Sequence, residues 1–240
     1  MATSVVDRKP ICVRYAPEVS PGKLTGLWVG LKEVRKDAGI SEKEMEVYDA
    51  GNWADSKAPV RSENGILIER ASSEWFVRVA TSILQRDKSI GGYLSAVKAL
   101  DLLSEDPKLT TFPHYPILVV AQPLYRVYKG ENDFGVGGMA RVGLGAVITF
   151  DCGPGRDDAF WYDYGRLIGA HELGHVFGLI PEERAKNKDQ VIVEDYSGVH
   201  CGNECVMRFG IDVKFAIKEV LDKRLFCDAC QRGLLTNFHG

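Results

Sequence analysis

The residues best suited to chemistry lie in one short stretch, HELGHVFGLIP, at 171–181. His171 and His175 are four residues apart, so on a helix both imidazoles share one face and can bind one metal ion. Glu172, beside them, can hold a metal-bound water and take its proton. Zinc lowers the pKa of such a water to about 7, which makes it a nucleophile at neutral pH. The spacing predicts a hydrolytic zinc centre with Glu172 as its general base.

Such a helix supplies only two of the three protein ligands that catalytic zinc normally takes. Gly178 can adopt a positive φ, end the helix and turn the chain back under the metal. The stretch resembles the metzincin pattern His-Glu-x-x-His-x-x-Gly-x-x-His, except that Pro181 stands where the last histidine is expected. The third ligand must therefore come from elsewhere.

His200 is the best candidate for this ligand, since no motif surrounds His114 and His239 lies beside the C-terminus. Glutamate is the third ligand in thermolysin-type sites, which keeps a carboxylate from the charged segment 181–199 open as an alternative. The carboxylates of that segment are Glu182, Glu183, Asp189, Glu194 and Asp195.

Two local cysteine pairs, Cys-x3-Cys and Cys-x2-Cys, predict a second metal centre. Four thiolates at such spacing close a tetrahedral zinc site with no open position, so the site is structural. Two disulfides, or four unrelated thiols, are the alternatives. The pairs are Cys201 with Cys205 and Cys227 with Cys230, while Cys12 and Cys152 lie outside the set and are expected to be small apolar fillers.

The order of these residues resembles the archaemetzincin family. There the third histidine continues directly into cysteine, then a second cysteine, x-Met, and later Cys-x-x-Cys; here the order is His200, Cys201, Cys205, Met207, Cys227, Cys230. The segment AQPLYRVYKGENDFGVGGMA, at 121–140, is similar to the one preceding the family's active-site helix. The resemblance covers about residues 115–230. Two departures are the segment 181–199, which the family usually lacks, and a first cysteine pair that is one residue shorter.

The resemblance implies an α/β (α+β) metzincin-like zincin fold. A mixed twisted sheet with helices would lie above the active-site helix, followed by a small C-terminal subdomain braced by zinc. It implies a zinc-dependent peptidase with two Zn2+ per chain, held by His171, His175 and His200 and by the four cysteines. Met207 would be the methionine packed below the catalytic metal. A peptide or protein substrate would pair with an edge strand, for which Leu144–Phe150 is the expected counterpart. Tyr196 and Arg208 are candidates to stabilise the oxyanion.

Composition bounds the remaining classes of function. The 240 residues are 45% hydrophobic and 26% charged, which suits a globular chain with a sizeable core. A net charge of −3 gives no general attraction to nucleic acid or to anionic membranes. With no apolar run long enough for a signal peptide or a membrane helix, the expected compartment is the cytoplasm.

Hydrophobic periodicity predicts alternating strands and helices. A larger part, 1–179, would end in the active-site helix, and a smaller part, 180–240, would carry the third histidine and the cysteines. Strands are expected at 10–16, 44–50, 66–70, 115–122 and 145–150, and helices at 22–39, 72–87, 92–106, 157–179, 211–224 and 227–238. The rival to a peptidase is a catalytically silent or latent binding protein of the same fold, stabilised by zinc. A glutamate beside the histidines favours the enzyme, because a purely structural site needs no base.

Overall fold

A computed structural model gives the fold. It describes residues 6–54, 59–62, 67–70, 91–128, 130–151, 156–179, 192–195, 198–208 and 224–239, with the backbone alone for 59–62, 67–70, 128, 192–195 and 198–199.

The chain divides into two compact units. One comprises 1–8, 22–41 and 156–240, and the other comprises 9–21 and 42–155. The predicted boundary after Leu179 differs from this division. The helix that carries His171 and His175 packs extensively on the helix formed by Thr25–Asp37, and both belong to the same unit as the C-terminal part of the chain.

The unit comprising 9–21 and 42–155 contains a mixed seven-stranded sheet. Its strand order is β4-β3-β2-β1-β6-β10-β9, in which β2, β1, β6 and β10 run parallel, and β3, β4 and β9 are added antiparallel. The strands are β1 Ile11–Tyr15, β2 Val47–Asn52, β3 Pro59–Ser62, β4 Leu67–Arg70, β6 Tyr115–Val120, β9 Gly138–Arg141 and β10 Gly145–Thr149.

The three central parallel strands form the core of this unit. β6 and β10 are buried along their whole length, and β1 is buried up to Tyr15. Nearly continuous apolar runs such as YPILVV are typical of parallel strands that are covered on both faces. Arg14 on β1 is also buried, and its guanidinium pairs with the Asp106 carboxylate at 2.7 Å, so its charge is compensated inside the core.

A second, three-stranded sheet in the same unit has the order β5-β7-β8, from Leu94–Ser95, Leu124–Tyr128 and Glu131–Val136. Helix α2, Ala96–Ser104, follows β5 and is capped by the Ser95 hydroxyl, which accepts from the Lys98 N–H. The short helix α3, Lys108–Thr111, comes next. α2 packs on β7, β9 and β10 and thereby joins the two sheets.

The prediction that Leu144–Phe150 forms an edge strand is wrong. β10 is paired on both sides, with β6 and with β9, so its backbone groups are already satisfied. The preceding glycine-rich residues, for which the sequence predicts no strand, fold back as β9 and take the outer position. Among the described strands of this sheet, β9 and β4 are the two edges.

The other unit is built on a close helix pair. α1, Thr25–Asp37, crosses α4, Asp158–Val176. A Cβ at Gly26 would lie 1.8 Å from the Tyr162 carbonyl oxygen, so this crossing requires glycine. The hairpin β11–β12, Ile192–Asp195 with Gly198–Cys201, and the C-terminal helix α5, Asp228–His239, complete the described part of the unit.

Most of the predicted elements are confirmed within the described residues, with ends shifted by a few positions. The strand expected at 44–50 begins at Val47, and the helix expected at 92–106 begins only after β5. The helices expected at 72–87 and 211–224 lie outside the described residues. None of the helices described is both long enough and apolar enough to cross a membrane.

Candidate metal centres

Helix α4 carries the His-Glu-x-x-His motif in its last turns. The helix begins at Asp157, whose side chain accepts a hydrogen bond of 2.8 Å from the Phe160 N–H. On its inner side, a Cβ at Gly169 would meet the Leu27 side chain at 2.5 Å, so α1 packs tightly against α4 two residues before the motif. Arg166 forms a bidentate pair with Glu33 of α1, at 2.6 and 2.7 Å. These contacts fix the helix that presents the histidines.

The end of α4 turns at Gly178, as the sequence predicts. Gly178 has φ +73°, its N–H donates to the His175 carbonyl at 2.9 Å, and the Leu179 N–H donates to the Gly174 carbonyl at 2.9 Å. This is the hydrogen-bond pattern of a Schellman motif, in which glycine avoids the strain of a left-handed backbone. The chain therefore leaves the helix one turn after His175.

Three histidines converge at this point. His171, His175 and His200 offer ligand nitrogens that all lie within 4.8 Å of one another. The Nε2 atoms of His171 and His175 are 3.2 Å apart. Two ligands of a tetrahedral zinc ion with bonds of about 2.0 Å are about 3.3 Å apart, so this pair fits a shared zinc ion.

Metal ligation requires neutral imidazoles, and the surroundings of His171 and His175 favour the neutral form. Burial lowers the pKa of His171 to about 4, helped by His200 and opposed by a hydrogen bond to the Val206 backbone. Burial, with His171 and His200 nearby, holds the pKa of His175 well below its usual range. The Nδ1–H of His171 donates to the Val206 carbonyl at 2.7 Å, which leaves its Nε2 lone pair directed at the common centre.

The structure brings His200 into this group through the β11–β12 hairpin, where it pairs with Val193. His200 is buried at 6% exposure, and its ring stacks on His171 with centroids 5.3 Å apart. The alternative carboxylates of 181–199 lie outside the residues whose side chains are described. His114 and His239 belong to neither metal-ligand group.

Glu172 is the buried carboxylate next to the histidines, at 4% exposure. It follows His171 on α4, so it projects from the helix about 100° away from that imidazole. A carboxylate in this position is adjacent to the centre without being one of the grouped ligands. This arrangement suits a proton acceptor at an open metal position.

The four cysteines form the second group. Their sulfurs all lie within 4.8 Å of one another; Cys201 and Cys227 are 3.7 Å apart, and Cys205 and Cys230 are 3.9 Å apart. A disulfide would place two sulfurs about 2.05 Å apart, whereas two thiolates on one tetrahedral zinc are about 3.8 Å apart. The spacing therefore fits zinc and excludes the disulfide alternative for these pairs.

The second group also has a polar neighbour. The Asn203 side-chain amide donates to the Cys227 sulfur at 3.5 Å. Hydrogen bonds within the cluster lower the pKa of the Cys227 thiol, and the bond with Cys201 makes the largest contribution. Cys12, by contrast, is fully buried in the other unit, where burial raises the pKa of its thiol to about 12, in agreement with a filler role. Cys152 lies outside the described residues.

Met207 packs directly under the histidine helix. It is fully buried, and a Cβ at Gly174 would lie 2.5 Å from its sulfur. The glycine between the two histidines is thus what allows the methionine to approach α4. Sequence reasoning singled out Met207 but missed Gly174 and the Val206 carbonyl. Of the oxyanion candidates, Arg208 is exposed and Tyr196 lies outside the described residues.

Comparison with known proteins places this geometry in a fold. No protein-family model matches the sequence, and no curated protein matches it significantly. The chain is similar to the solved structure of the archaemetzincin of Methanopyrus kandleri, with 18% identity, a TM-score of 0.59, and 97% of each chain covered. The fold class inferred from the sequence is therefore confirmed. The chain has an archaemetzincin-like fold, and its described residues include one histidine group and one cysteine group that could hold metal.

Proposed function

We propose that this chain is a zinc-dependent peptidase that uses His171, His175 and His200 as metal ligands and Glu172 as the general base. The observation that carries the proposal is the convergence of three imidazoles, whose ligand nitrogens all lie within 4.8 Å of one another, beside a buried glutamate. Three protein ligands leave a tetrahedral zinc one open position, which is the arrangement of a catalytic site.

The residues present fit this chemistry. Zinc bound there supplies a Lewis acid and makes water acidic enough to react at neutral pH. Glu172 accepts the proton of the attacking water and passes it to the leaving amine, a role that burial beside the ligands supports. The Val206 carbonyl holds the ring of His171 in the orientation that ligation needs.

The four cysteines fit a second, structural zinc, which gives two zinc ions per chain. Four thiolates fill all the positions of a tetrahedral ion, so no reaction is assigned to this centre. Its part in the proposal is to stabilise the region that carries His200.

The substrate is proposed to be an extended peptide that pairs with β9. In the described part of the sheet, β9 has a neighbour on one side only, β10. A peptide added to such an edge gains backbone hydrogen bonds that do not depend on its sequence. β9 takes the place of the strand at Leu144–Phe150 that the sequence had suggested.

A Glu172→Gln variant tests the function, with Glu18→Gln as a matched control at an exposed glutamate. We expect Glu172→Gln to keep its zinc content and to cleave a mixture of fluorescence-quenched peptides about 100-fold more slowly or worse, the usual loss when a general base is removed. The control should match the parent. Cleavage by Glu172→Gln at the parental rate would overturn the mechanism. A zinc-loaded parent without peptide cleavage would favour the silent binding protein instead.

A further inference from the structure

The two candidate metal centres share one short segment, 200–208. His200 and Cys201 are consecutive residues, each in a different ligand group. Val206 follows Cys205 and precedes Met207, so it lies between a cysteine of one centre and the methionine packed under the other. The sequence neighbours of Val206 therefore belong to both sites.

The Val206 residue is held from two directions by backbone hydrogen bonds. Its N–H donates to the Leu225 carbonyl at 2.7 Å, and its carbonyl accepts from the His171 Nδ1–H at 2.7 Å. Leu225 is two residues before Cys227. One bond thus ties Val206 to the second cysteine pair, and the other ties it to the histidine helix.

The loop around Val206 is closed on itself. The Cys201 N–H donates to the Met207 carbonyl at 2.9 Å, and the Arg208 N–H donates to the Cys205 carbonyl at 3.0 Å. Both cysteines of the first pair therefore anchor the segment that carries the Val206 carbonyl. When all four thiolates bind one ion, this carbonyl has little freedom to move away from His171.

The direction of the His171 ring depends on that carbonyl. A neutral imidazole carries one N–H and one lone pair, and the partner of the N–H decides which nitrogen remains free for a metal. With Nδ1–H bound to Val206, Nε2 is the free nitrogen, and it lies 3.2 Å from Nε2 of His175. Without this acceptor, ring rotation and the other tautomer would both weaken ligation.

We propose that the Val206 carbonyl is the positioning group of the histidine centre, and that the cysteine centre sets the metal affinity of the histidines by fixing this carbonyl. The inference rests on the proposed function, since it assumes that the histidines bind metal. Coupling between two binding sites is reciprocal, so metal at the histidines must strengthen binding at the cysteines by the same factor.

The test weakens this carbonyl as an acceptor, with loss of the Met207 N–H, and changes none of the ligands. Cys201 allows a synthetic 201–240 peptide to be ligated to residues 1–200, with the Val206–Met207 amide replaced by an ester, whose carbonyl is a weaker acceptor. The control is the same ligated chain with all amides. Cobalt is the probe: thiolate-to-metal absorption reports the cysteine centre, and the weaker visible bands of a nitrogen-bound ion report the histidines.

We expect the ester to lower cobalt affinity at the histidines about tenfold, at the lower end of the effect of losing such a partner, with unchanged loading of the cysteines. Nitrogen NMR of the His171 ring should show a loss of the Nδ1–H tautomer. Histidine affinity within twofold of the control would overturn the inference alone. An all-amide chain that loads cobalt at the cysteines and none at the histidines would overturn the proposed function, and the inference with it.

Discussion

The histidine and cysteine centres have the same tetrahedral spacing but a different number of ligands. Nitrogens 3.2 Å apart and sulfurs 3.7 and 3.9 Å apart both match two corners of a tetrahedron around zinc. The cysteines offer four donors and the histidines offer three. The number of donor atoms, rather than the spacing between them, therefore distinguishes the proposed catalytic centre from the proposed structural centre.

The largest effect on stability is expected from a change at the cysteine centre. Cys230→Ser removes one of its four thiolates, and zinc binding at such sites contributes on the order of 10 kcal/mol to folding in small zinc modules. We expect the variant to lose zinc and to melt at a clearly lower temperature, measured by metal analysis and thermal unfolding.

Cys12→Ala is the matched control, since Cys12 is a fully buried thiol outside both groups. It should keep all its zinc and lose about 1 kcal/mol of stability through the small cavity. Unchanged zinc content in Cys230→Ser would show that the four sulfurs do not act as one site.

Removal of a ligand from the histidine centre should have a smaller effect on stability. We expect His200→Ala to reduce zinc from two ions per chain to about one and to keep the thiolate-bound ion, as measured by metal analysis. Three ligands reduced to two no longer hold zinc tightly. The control is His239→Ala, an exposed histidine outside both groups. If His200→Ala still binds two ions, the third ligand must be sought among the carboxylates of 181–199.

A change under the histidine helix should disturb the histidine centre. In Gly174→Ala, the new Cβ would meet the Met207 sulfur, and overpacking of this kind costs about 1–3 kcal/mol. We expect a lower unfolding free energy in denaturant and weaker metal binding at the histidines. Gly22→Ala, where a Cβ would meet nothing within 4 Å, is the control. Equal stability of the two variants would show that Met207 can move aside at no cost.

A buried histidine outside the centres gives the smallest effect, and it depends on pH. Burial lowers the pKa of His114 to about 4, with Arg14 adding to the shift and a hydrogen bond to Phe112 opposing it. The unfolded chain binds this proton at about pH 6.5 and the folded chain only near pH 4, so stability is complete above pH 6.5 and falls as the pH drops. We expect a loss of about 1–2 kcal/mol between pH 7 and pH 5.

The measurement is urea unfolding of the parent and of His114→Gln at both pH values. Metal release at low pH affects both chains equally, and the difference between their slopes isolates His114. Parallel slopes would show that His114 titrates in the folded chain as it does in the unfolded chain.

Much of the histidine centre could be predicted from the sequence because its information is local. Helical spacing alone places His171 and His175 on one face, and Gly178 marks the end of α4. Their catalytic role, like that of Glu172, stays a prediction. The Val206 carbonyl could not be found in this way, because a backbone acceptor has no sequence signal of its own.

The strands around β9 were missed for a different reason. Glycine disfavours a strand by itself, so ENDFGVGGMAR reads as a loop until its backbone finds partners in β7 and β10. Those pairings join residues that are distant in the sequence or are connected by a tight turn. The side-chain pattern of a single segment does not predict them. For this reason the sequence analysis takes β10, rather than β9, as the edge strand of the sheet.

The adjacency of His200 and Cys201 on β12 limits the insertions that this chain can accept during evolution. Successive side chains of a strand point to opposite faces, so one strand serves a nitrogen centre on one face and a sulfur centre on the other. Insertions before this strand leave that alternation intact. By contrast, a single residue inserted within the strand just before His200 would exchange the faces and deprive both centres of a ligand at once.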